Sequence, residues 1–139
     1  MLKRKMKKLI VRLKRGDLLK ESILKLCIDN DIKAGVILSS VGSLVKARIR
    51  NAGATEIKEL DEDLEILSLN GTVSTNRIHL HICVSDKNLN TYGGHLENGS
   101  IVNSTCELVI LDLDGYEFNK EFDNETGYNE LLIKEIKEK

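Results

Sequence analysis

Hydrophobic and polar positions alternate along most of the chain, and the points where the alternation breaks mark its elements. Leu9, Val11 and Leu13 alternate with Ile10, Arg12 and Lys14, which predicts a first strand ending at Gly16. The period then lengthens: Leu19, Ile23, Leu26 and Cys27 fall at i, i+4, i+7 and i+8. That is the buried stripe of an amphipathic helix over about residues 17–30, with Asp17 as its cap. Ala34 to Gly42 is nearly all apolar and predicts a buried central strand, with a turn at Gly42-Ser43. From Leu44 to Asn51 alternation returns, setting Val45, Ala47 and Ile49 against a basic row of Lys46, Arg48 and Arg50. Residues 51–63 are polar and acidic, a loop or short hairpin. Leu64 to Val73 predicts another strand, in which Gly71 permits a bulge or close packing.

Ile78 to Ser85 alternates strictly, and a turn rich in Asp, Lys and Asn follows it to Asn90. Ile101 to Leu111 predicts a long strand pair or a single bent strand. From Tyr116 the chain alternates through Phe118 and Phe122 before Leu131-Leu132-Ile133 and a charged tail at 134–139. One helix among many short strands, most joined as hairpins, predicts an α+β domain with a mostly antiparallel sheet.

The chemistry concentrates in one of these strands. Ile78, Leu80, Ile82 and Val84 point one way, and His79, His81, Cys83 and Ser85 the other. Residues two apart on a strand are separated by roughly 6.6 Å of rise, so two imidazoles leaning together can reach one ion at about 2.0–2.1 Å. Gly93-Gly94 offers a backbone that can turn sharply or approach closely and deliver His95, the remaining histidine of the chain. Three neutral nitrogens leave a tetrahedral zinc one open position, as in catalytic sites. The plainer alternative makes His79 and His81 half-solvated strand residues and His95 a turn residue.

The 139 residues, 41% hydrophobic, suit one domain with a real core. No run of 18 apolar residues predicts a membrane span, and the charged amino terminus lacks the apolar stretch of a secretory signal. Cys27, Cys83 and Cys106 are odd in number and widely spaced, which predicts reduced thiols in a cytoplasmic protein. A net charge of −1 argues against a nucleic-acid binder that uses its whole surface. The charge is uneven, however. Lys3, Arg4, Lys5, Lys7, Lys8, Arg12, Lys14 and Arg15 share the first 15 residues with no acid. Such an arm, free over residues 1–6, can pair with phosphate; it can equally be a solvated leader and a lysine-protected edge strand.

Taken in order, several segments resemble the plant and prokaryote conserved (PPC) domain. They are Leu13-Lys14-Arg15-Gly16-Asp17-Leu18-Leu19, Ile37 to Leu44, Glu65 to Thr72, His79-Leu80-His81, and Gly93-Gly94-His95-Leu96 followed by Gly99, Val102, Thr105 and Glu107. The likeness runs over roughly residues 7–133 and is to the stand-alone prokaryotic members. It implies a compact sheet with one outer helix, assembly as a homotrimer, and a regulatory module described as DNA-binding. It further implies a metal at the positions of His79, His81 and His95. The Arg-Gly-Arg-Pro hook of plant members is absent, and Glu62-Asp63-Leu64-Glu65-Ile66-Leu67 replaces their Gly-Arg-Phe-Glu-Ile-Leu.

Two functions follow as expectations. One is a trimeric module that touches DNA through the arm from Lys3 to Arg15. The other is a metal-dependent enzyme or small-molecule binder in which His79, His81 and His95 hold a divalent ion, zinc foremost. Its bound water would be acidified toward a pKa of about 7, with Glu107, or less directly Glu65, as general base.

Overall fold

The structure, a computed structural model, describes residues 7–136. The first strand, β1 (Lys7–Lys14), leads into the helix α1 (Leu19–Asp29) and then into β2 (Gly35–Arg50), the longest strand. β3 (Ile57–Leu60), β4 (Leu64–Val73), β5 (Ile78–Ser85), β6 (Thr91–Leu96) and β7 (Ile101–Asp112) follow. β8 (Tyr116–Phe122) and β9 (Asn129–Glu135) form a separate hairpin. The main sheet has the order β1-β7-β2-β4-β5-β6, and every named pairing in it is antiparallel. β2 pairs with β4 along its first half and with β6 at its far end, so β2, β4, β5 and β6 close into a ring. This is the expected α+β fold.

Several local expectations change. α1 begins at Leu19 and has Leu18 at its N-cap with no side-chain bond; the Asp17 carboxylate instead accepts the N–H of Lys14 at 2.8 Å and closes the turn before the helix. Gly42-Ser43 is not a turn, because β2 runs straight through it. A Cβ at Gly42 would lie 2.2 Å from the Thr105 carbonyl oxygen, so glycine there serves a close approach to β7. β2 is irregular at this point, with register shifts against β7 between Gly42 and Leu44 and between Leu44 and Lys46. These shifts bury Leu44 and leave Val45 exposed. Lys134 and Glu135, the first residues of the charged tail, are the end of β9.

The core joins Leu19, Ile23 and Cys27 of α1 to the inward residues of the strands, among them Leu80, Ile82 and Val84 of β5 and Leu108 and Ile110 of β7. Burial of the His strand's apolar face therefore fixes which way its polar face points. Burial, followed by the nearby Asp112 carboxylate, pushes the Cys27 thiol up to about 12, so it behaves as an apolar side chain. All three cysteines are free. The basic row of β2 is paired with acids: Lys46 with Asp61, Arg48 with Glu59 of β3 and Arg50 with Glu97. No helix among the described residues is long and apolar enough to cross a membrane.

Candidate metal centre

Strand register builds the centre. β5 and β6 pair directly, which sets His81 opposite His95, and β6 pairs in turn with β2, which sets His95 opposite Arg50. His79 lies two residues from His81 on the same face. Gly93 and Gly94 do not form a hinge; both lie within β6, and a Cβ at Gly94 would be 2.5 Å from the Arg50 carbonyl oxygen. The glycine is needed for strand contact, and that contact carries His95 to its place.

One nitrogen from each of His79, His81 and His95 can be chosen so that all lie within 4.8 Å of one another. The ring centroids are 5.1, 5.2 and 5.8 Å apart. A tetrahedral ion with bonds of about 2.0–2.1 Å spaces its ligands by roughly 3.4 Å, so small ring rotations close the set. The Nδ1 of His95 is buried without a hydrogen-bond partner, and its Nε2 lies 3.8 Å from Glu97. A buried unpaired nitrogen next to two other imidazoles fits a metal ligand.

The local field favours the neutral form of His95 and His79, as metal binding requires. Burial, then the charges of Arg50 and Lys20, and then the other two rings push His95 down to about 4. Burial, then Arg77 and His81, lower His79, with Glu130 opposing.

A cavity of about 630 Å³ opens beside His79 and His95. α1 contributes Lys20, Glu21 and Leu24, and Arg77 stands immediately before β5. The β8–β9 hairpin forms another wall with Lys120, Tyr128 and Glu130. The hairpin is tied to the body by Ser74 Oγ, which donates to the Phe118 carbonyl at 2.9 Å, and by the Phe118 N–H, which donates to the Lys33 carbonyl at 2.8 Å.

The two carboxylates considered as bases are elsewhere. Glu107 is exposed on β7 between Arg12 and Val41, and Glu65 lies opposite Ser85 at the other end of β5 from His79. Neither lines the cavity of this chain. Of the basic arm, Lys7, Lys8, Arg12 and Lys14 are exposed on β1 and Arg15 just beyond it; Lys3, Arg4 and Lys5 lie outside the described residues. Sequence reasoning missed Arg50, Arg77 and Lys20. Arg77 had a signal in its position two residues before His79, whereas Arg50 reaches the site only through the β2–β6 pairing.

The model of the Plants and Prokaryotes Conserved (PCC) domain, the PPC domain of the resemblance, matches residues 2–114. The chain belongs to this family. Among solved structures, a hypothetical protein from Salmonella enterica superposes with a TM-score of 0.91 at 32% identity, over 94% of this chain and 95% of that one. A metal-containing protein from Archaeoglobus fulgidus gives 0.78 at 34% identity, over 91% and 93%. The Bifunctional protein GlmU of Synechococcus sp. strain JA-3-3Ab is 40% identical over 128 residues, which are 92% of this chain and 21% of that protein. The PCC chain thus spans about a fifth of the length of its curated relatives. The β8–β9 hairpin, although beyond the matched residues 2–114, supplies a wall of the cavity.

Proposed function

We propose that this PCC-domain chain is a metal-centred binding module that assembles as a homotrimer, with His79, His81 and His95 holding one divalent ion, zinc foremost. The observation that carries the reading is the convergence of three imidazoles, one with a buried unpaired nitrogen, beside a cavity. When bound, such an ion supplies a Lewis acid with one open position. The metal-containing Archaeoglobus relative supports the reading. The trimer is supported by apolar side chains left exposed on the outer face of the sheet, including Ile10, Leu38 and Val41. The test is elemental analysis of protein purified without a histidine tag and equilibrated with zinc. The expected result is about one ion per chain. Wild-type protein that retains none overturns the reading.

The exposed bases of β1 favour a second reading, association with DNA. Lys8, Arg12 and Lys14 share one face, Lys7 and Arg15 flank them, and the arm with Lys3, Arg4 and Lys5 precedes them. Because Lys8 and Arg12 flank Ile10 on the face given above to the trimer contact, this reading requires that contact to lie elsewhere, and three copies would then multiply weak phosphate contacts. Binding of this kind tolerates any sequence and weakens steeply with salt. A mobility-shift titration with duplex DNA at about 150 mM salt that yields no complex removes it.

A further inference from the structure

The cavity beside the imidazoles is lined by cations that a metal ion does not need. Lys20, Arg50, Arg77 and Lys120 border it, with Glu21 and Glu130 as the lining carboxylates. Glu21 is engaged through one oxygen only: its Oε2 accepts the Gly99 N–H at 3.0 Å, while its Oε1 is buried with no partner and opposes an anion on that wall. Arg50 has one Nη 3.7 Å from Glu97 and a buried Nε with no partner. At about 630 Å³ the space suits a small organic molecule.

Arg77 decides what kind of molecule. One Nη donates to Thr72 Oγ1 at 3.3 Å, and the other lies 3.3 Å from His79 Nδ1. A guanidinium only donates, so Nδ1 is the acceptor and the ring proton is on Nε2. A divalent ion on His79 removes that acceptor by either route. An ion on Nδ1 takes its lone pair. An ion on Nε2 displaces the proton there, and the neutral ring then carries its proton on Nδ1. In both cases Arg77 loses its acceptor at the edge of the cavity, close to a new positive charge.

Building on the metal reading above, we propose that the cavity binds a small molecule bearing an oxyanion, a phosphate or a carboxylate, held by Arg77, Arg50 and Lys20. Loading the ion strengthens this binding because it frees Arg77. Linkage requires the converse: the oxyanion tightens retention of the ion by the same factor. The hairpin residues Lys120 and Tyr128 face the body of the molecule, and the ion's charge adds to the attraction of the cations.

The test is equilibrium dialysis with labelled inorganic phosphate and, separately, labelled acetate, which distinguishes the two oxyanions. It uses metal-free and zinc-loaded full-length protein, with metal content measured in each sample. Wild-type protein is expected to bind at least one of the two anions about tenfold more tightly when loaded, a coupling of ordinary size. Arg77→Gln should keep its zinc and lose the larger part of that gain, retaining only what the ion's own charge contributes. Lys20→Gln, a surface change on α1, should weaken binding in both forms, and Lys87→Gln, outside the cavity, should change nothing. Loaded wild-type protein that binds neither anion overturns the proposal and leaves the metal reading standing, as does Arg77→Gln or Lys20→Gln behaving like wild type. Protein that takes up no zinc overturns both.

Discussion

His81 on β5 and His95 on β6 stand opposite each other in register, with ring centroids 5.8 Å apart, so pairing of two backbones places two candidate ligands. His81 is exposed and contributes nothing to the core. His81→Ala should therefore leave the metal-free fold intact while removing one of three ligands. The expected outcome is unchanged thermal stability without zinc, within about 0.5 kcal/mol as for most surface substitutions, and zinc retention lowered at least tenfold. Dialysis against a chelator series followed by elemental analysis measures the second quantity. Equal retention in wild type and variant would remove His81 from the ligand set.

The depressed histidines give the metal-free protein a definite pH dependence. His95 titrates near 4 in the folded chain against an ordinary value of 6.5, and His79 is lowered as well. Between those values the unfolded chain takes up protons that the folded chain refuses, so stability is fully present above about 6.5 and falls as the pH drops toward 4. Thermal melts of metal-free protein between these limits should show a declining midpoint, and His95→Gln should flatten the decline. A variant with the wild-type slope would show that His95 is not its source.

The legible part of the site was the strand with its two imidazoles, because a period of two reports which side chains share a face, and Leu80, Ile82 and Val84 are buried as that period requires. His95 was legible as a partner but not the means of its delivery. Glycine signals both a turn and a close backbone approach, and at Gly42 and Gly94 the second holds, since a Cβ would meet the carbonyl oxygens of Thr105 and Arg50. Arg50 left no local mark. It sits in what reads as an ordinary solvated row of β2, and only the pairing of Arg50 with His95, 45 positions apart in the numbering, brings it to the cavity. The bulges of β2 were hidden for the same reason, because they answer to the register of β7 and not to the sequence of β2.

Gly94→Ala tests the close approach directly. The added methyl would sit 2.5 Å from the Arg50 carbonyl oxygen and 2.7 Å from Ile49 Cγ2, so β6 must shift away from β2. Overpacking of this kind costs about 2–3 kcal/mol, and the shift would move His95 with it. Gly93→Ala meets its nearest atom, the Ile82 carbonyl oxygen, at 3.1 Å and should be milder on both counts. Denaturant unfolding and zinc content of the two variants make the comparison. Equal effects would mean that glycine at 94 is not required by the β2–β6 contact.

Val41 offers a test of assembly that is independent of the metal. It is 59% exposed on the face of β2 opposite the core, flanked across β7 by Glu107 and, on β1, by Arg12, with Ile10 and Leu38 nearby and also more than half exposed. Apolar side chains so placed suit a contact between identical chains, where one patch recurs on every copy. Val41→Asp adds a charge to that face without entering the core, so the monomer fold should survive. If the face is the trimer contact, sedimentation velocity at micromolar concentration should show wild-type protein at three times the chain mass and the variant at the mass of one chain. Circular dichroism should be the same for both. A variant that still sediments as a trimer would move the contact to another face, and a wild-type protein that sediments as a single chain would exclude the homotrimer itself.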